Sequence, residues 1–108
     1  MDELEKEIYS KLDCKHEITK EYIKVLIESV KRFEKKQEVY DISNIADSGE
    51  IGIFTRIGDF FSKIKKYLSI SEEKRKELML TEEKVDKYFF DLAIFAFIGY
   101  ILRKGNWK

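Results

Sequence analysis

The chain has 108 residues, and its Lys plus Arg and Asp plus Glu counts are both 21, so the formal net charge is zero. That length suits one domain. The 39 % charged, 44 % apolar and 14 % aromatic content is that of a globular chain rather than a disordered one. Charge balance removes the bulk field that would favour a nucleic-acid backbone or an anionic membrane, so nucleic acid is not an expected partner. The lone Cys14 forms no intrachain disulfide, and with His16 as the one histidine, zinc fingers and thiolate metal centres are excluded. A Cys14/His16 nucleophile pair is a formal option only, set against an incidental surface thiol and imidazole. The opening Met1-Asp2-Glu3-Leu4-Glu5-Lys6-Glu7 is acidic and mixed, unlike a secretory signal. The most apolar run, Tyr88 to Leu102, holds Asp91 and is shorter than the ~20 residues a span needs. The expected location is the cytoplasm, with no membrane partner.

No proline interrupts the chain, which permits long helices. Residues 2–12 read as a short helix with Leu4, Ile8 and Leu12 on one stripe. Ile18, Tyr22, Val25, Leu26, Ser29, Val30 and Phe33 predict a helix over 17–39 with that face toward a core. Residues 40–50 are rich in Asp, Asn, Ser and Gly and read as a loop. A third helix is expected over 51–69, its apolar positions being Phe54, Ile57, Phe61, Ile64 and Leu68; within it Gly58 admits the close approach of another helix. Residues 71–80 form a charged linker with a short helix from Ser71 to Leu78. Thr81 caps a last helix that runs to about residue 103, with Gly105 as its stop. Its stripe is Val85, Tyr88, Phe89, Leu92, Phe95, Ala96 and Gly99. No strand signal competes. The expectation is an all-α chain, one domain over 1–108, in which a short helix within 1–16 precedes core helices over 17–103 in a small four-helix bundle. The last helix is apolar on nearly every side, which predicts a homodimer.

Three sets of residues bear chemistry. Asp91 sits among Lys87, Tyr88, Ile94 and Phe95 at helical spacing; a carboxylate there needs an ion-pair or hydrogen-bond partner, or serves as a metal ligand. A side seam of the second helix starts as Ile23, Ile27 and Val30 and continues through Glu34, Glu38 and Asp41. Glu34 and Glu38, at i and i+4, can share a hard divalent cation or belong to a solvated helix end. Arg56, Asp59 and Lys63, at i, i+3 and i+7, form a polar line that either holds phosphates or makes intrahelical pairs. No Gly-rich phosphate loop is present.

The order of these features resembles a known family. A segment Glu-Lys-Lys-Gln-Glu-Val-Tyr-Asp ends at Asp41; Gly-Ile-Phe-Thr-Arg-Ile-Gly-Asp-Phe-Phe-Ser-Lys starts at Gly52; Asp91-Leu92-Ala93 with Ala96 closes the series. Over roughly residues 33–103 the chain resembles the nucleotide-modification-associated domain of the first type, small helical proteins of phages and bacteria related to the MazG-like all-α nucleoside triphosphate pyrophosphohydrolases. The matching positions are Tyr40, Arg56, Asp59, Lys63, Asp91, Leu92, Ala93 and Ala96. Asp41 stands in place of a Gly, Phe60 in place of a Lys, and Lys87 in place of an acid.

The resemblance implies Mg²⁺-dependent hydrolysis of a nucleoside triphosphate to monophosphate and pyrophosphate. Glu34, Glu38, Glu83 and Asp91 would be the catalytic carboxylates holding Mg²⁺. Arg56 and Lys63 would meet the phosphates, with Asp59 beside them, and Tyr40 or an aromatic of the last helix would stack on the base. Lys87 carries the alternative: a helical module without catalysis, of viral or mobile-element origin, that binds a nucleotide or a protein partner.

Overall fold

The computed structural model describes residues 2–41 and 47–107. Its helices are α1 (Glu3–Lys11), α2 (Glu17–Val39), α3 (Gly49–Ser69), α4 (Glu72–Glu77) and α5 (Glu82–Arg103), with no strand among the described residues. The all-α class follows directly from the periodicities. The bounds of α2 and α5 coincide with the expected ones, and α3 begins at Gly49 rather than at residue 51. Of the loop expected over 40–50, residues 42–46 lie outside the described residues, and Gly49 and Glu50 belong to α3. No helix is long and apolar enough to cross a membrane among the described residues. The chain divides into two compact units, Met1–Val39 and Tyr40–Lys108.

In the first unit α1 packs on α2. A capping box opens α1: Glu5 N–H donates to Asp2 Oδ1 at 2.8 Å, and Asp2 N–H donates to Glu5 Oε2 at 3.2 Å. Lys20 of α2 stands over the Tyr9 ring at 5.4 Å, and Tyr9 Oη donates to the His16 carbonyl at 3.4 Å. Cys14, half-buried, and His16, exposed, lie in the connection between the two helices.

The second unit is built on α3 against α5. The contacts step along both helices in opposite directions: Glu50 meets Arg103, Ile53 meets Gly99, Arg56 meets Phe95 and Lys63 meets Tyr88. A Cβ added at Gly99 would lie 3.5 Å from Ile53 Cγ2, so the small residue keeps the two helices close. Ile53, Ile64, Val85, Ile94, Phe95 and Ile98 form the core. At the corner, Arg75 Nε donates to the Tyr67 carbonyl at 2.7 Å and its guanidinium stacks on the Tyr67 ring at 4.1 Å. Thr81 caps α5 through Lys84 N–H, as expected.

The expected inward faces need correction. On α2, Ile18, Tyr22, Val25, Leu26 and Val30 are exposed, and Ile23 of the side seam is the buried residue. On α3, Phe54, Phe61 and Leu68 are exposed while Ile53 and Ile64 are buried; on α5, Phe89 is exposed. On α1, Leu4 and Leu12 are exposed as well. Each of these helices carries apolar residues over more than one line. A single packing partner covers one line, so each expected stripe is covered only in part: Ile64 of α3 and Val85 and Phe95 of α5 are buried as expected.

Candidate functional site

The best-formed candidate lies where α3 meets α5. Phe60 of α3 stacks between two rings of α5: its centroid is 5.5 Å from that of Phe95 and 6.4 Å from that of Tyr88. Arg56 stands 4.9 Å over the Phe95 ring, and Lys63 Nζ stands 5.1 Å over the Tyr88 ring. Arg56, Phe60 and Lys63 recur at i, i+4 and i+7, and Tyr88 and Phe95 are seven residues apart, so both helices present one line to each other. The result is a ladder of three rings flanked by two cations about 10 Å apart along the helix axis.

Both cations are exposed, and among the described residues neither is in an ion pair. The intrahelical pairing of Asp59 with Arg56 or Lys63 is therefore not what holds them; Asp59 is exposed. The ring faces, with their negative quadrupole, orient the cations instead, at about 0.5–1 kcal/mol each for exposed positions. A cation held over a ring keeps its N–H donors available to an anion.

Asp91 belongs to the same unit, one turn before Phe95. It is 6 % exposed. Its carboxylate is satisfied: among the described residues no buried side-chain oxygen or nitrogen lacks a hydrogen-bond partner. Lys87 is exposed and, among the described residues, pairs with no carboxylate, so it does not neutralise Asp91 by contact. Glu83 lies exposed in the first turn of α5, where the helix dipole favours an acid. Tyr40 is exposed at the start of the second unit, and Glu34 and Glu38 are exposed on the last turns of α2 in the first.

The metal expectation meets a thin donor set. Among the described residues, no three or more His, Cys, Asp or Glu side chains gather closely enough to hold an ion. Within the second unit, Glu83 is solvated and Asp91 is buried some 12 Å further along the axis.

The aromatic members Phe60, Tyr88 and Phe95 escaped sequence reasoning as site residues because their spacing is equally that of a core. The discriminating signal was the pairing of two lines, cation–ring–cation on α3 with ring–ring at a seven-residue interval on α5. A second feature is a shallow hollow of about 490 Å³ at the α3–α4–α5 corner, lined by Tyr67, Arg75, Lys76, Met79 and Glu82 among others. No predicted site residue lines it.

No family model matches the chain, and neither a curated protein nor a solved structure resembles it closely enough to count as a match.

Proposed function

We propose that the chain binds a nucleotide or a similar phosphate-bearing ligand on the α3–α5 face. The observation that carries this is the pair Arg56 and Lys63, exposed, oriented by rings and paired with no carboxylate among the described residues. Their N–H groups would take the phosphates, and an aromatic side chain, Tyr40 or Tyr88, would stack on the base. The resemblance to the nucleotide-modification-associated domain supports the same ligand class, since Arg56, Asp59, Lys63 and Asp91 are among its matching positions. Mg²⁺ enters with the phosphates, as it commonly does, through one or two carboxylates rather than a full protein cage. Of the four expected carboxylates, Glu83 and Asp91 lie on α5; Glu34 and Glu38 remain candidates by resemblance alone.

Hydrolysis to monophosphate and pyrophosphate is the enzymatic form of this proposal. Binding without turnover, or engagement of a protein partner by a viral or mobile-element module, is the other. A small four-helix bundle, a homodimer and a cytoplasmic location are proposed independently of the ligand, and the exposed apolar residues of α2, α3 and α5 support the first two.

The test is a thermal-shift and product-release screen of the full chain against the nucleoside triphosphates, with Mg²⁺ or Mn²⁺. A binder present at about 100 times its dissociation constant adds ~2.7 kcal/mol of stability and raises Tm clearly. That shift should shrink in Arg56→Gln and Lys63→Gln. Pyrophosphate release abolished in Asp91→Asn would establish the enzyme; a shift without release would establish the binding module. The absence of both with every nucleotide would sink the proposal.

A further inference from the structure

The side of α3 away from α5 carries an exposed apolar seam. Ile51, Phe54, Gly58, Phe61, Lys65 and Leu68 follow at spacings of three and four, the repeat of a helix that packs against another helix. Ile51 is 83 % exposed, Phe54 77 %, Phe61 59 % and Leu68 66 %. Gly58 sits at the middle, and a Cβ built there would meet nothing within 4 Å, so no neighbour described in the structure requires a glycine. A mid-helix glycine costs about 1 kcal/mol relative to Ala, which a close helix crossing would offset.

We infer that this seam is a two-fold interface on which α3 of a second copy docks antiparallel, crossing at Gly58. The seam is complementary to itself in that register. A two-fold axis beside the Ile57–Gly58 peptide sets Phe54 of one copy against Phe61 of the other. The same axis brings Glu50 opposite Lys65 of the second copy, twice over, so charge as well as shape selects the antiparallel pairing. Within its own chain Glu50 has only a loose contact, 3.9 Å from Arg103 Nε. A parallel pairing would place Glu50 on Glu50 and Lys65 on Lys65. Arg56 and Lys63 lie on the opposite side of α3 from Gly58, so docking leaves the α3–α5 ladder uncovered. The interface rests on the exposed seam and not on nucleotide binding, and each stands if the other fails.

Sedimentation velocity of the full chain tests it. The wild type is expected to sediment at twice the 12.9 kDa chain mass. Gly58→Leu fits the open space of a single copy and removes the helix-weakening glycine, so the chain should keep its helix content while the dimer weakens at least ~100-fold, as for a blocked interface centre. Lys65→Glu should also weaken it, and the double exchange Glu50→Lys with Lys65→Glu should restore it. A wild-type monomer at all concentrations overturns the inference. So does a Gly58→Leu dimer as tight as wild type, or a double exchange that fails to rescue Lys65→Glu.

Discussion

The two units hold together in different ways. The α1–α2 pair has one buried aliphatic residue, Ile23, a capping box and a cation over a ring. The α3–α5 pair buries six apolar side chains and Asp91, and the half-buried Phe60 and Tyr88 extend the buried Phe95 into the ring ladder. A nine-residue helix is too short to be stable in water by itself, so α1 depends on its cap and on α2. The second unit has a core in the ordinary sense, and it also holds most of the residues proposed to bind ligand. Local polar devices secure the first unit, and burial secures the second.

The largest effect should come from that core. Ile53→Ala or Ile98→Ala, each at a position 1 % exposed, should cost about 2–5 kcal/mol, read from denaturant unfolding. Ile23→Ala should instead act locally, speeding amide exchange across residues 3–39. An equal loss of global stability in both would erase the contrast between the units. Next in size is Asp91→Ala, which removes a buried polar group together with the interaction it makes and should cost ~1–3 kcal/mol with no nucleotide present. A neutral result would make Asp91 a ligand-facing group alone. Asp2→Ala removes the α1 cap and should cost about 1 kcal/mol, confined to exchange within α1.

The Arg56→Gln and Lys63→Gln variants should change stability by less than ~1 kcal/mol each while weakening nucleotide binding about tenfold. A reversal of those two magnitudes would make the ladder structural.

The smallest effect concerns pH. Lys20 is held above its ordinary 10.5, first by its hydrogen bond to Glu17 and then by that carboxylate's charge. A raised folded-state pKa gives stability that is complete below the unfolded value and is lost as pH rises through the folded one. Amide exchange in the first unit, corrected for intrinsic rate, should therefore be flat through neutral pH, and thermal unfolding should weaken only above 10.5. Lys20→Met should remove that alkaline decline.

Helix positions were written in the sequence because each depends on neighbours three and four residues away. Apolar recurrence over 17–39 and 82–103, Thr81 as a cap and Gly105 as a stop are local facts, and the helices α2 and α5 follow them. Gly105 takes φ +71°, the left-handed region that glycine enters without penalty. The acidic character of Asp91 in an apolar run was also legible, and its burial agrees.

Which apolar line turns inward was not legible. Ile18, Tyr22 and Val25 have the spacing of a core face, yet Ile23 is the residue covered; on α3, Phe54 and Phe61 are exposed and Ile53 is covered, while Ile64 of the expected stripe is buried as its spacing suggested. Periodicity states that a face exists, and only the partner helix, with its own length and side-chain sizes, selects among two or three of them. The ladder of Arg56, Phe60, Lys63, Tyr88 and Phe95 joins positions up to 39 residues apart. The sequence by itself determined the all-helical class and the helix ends, which are short-range properties of the backbone. Only the tertiary structure decided which rings the cations face and which apolar residues stay exposed, because those depend on the relative rotation of helices packed against each other.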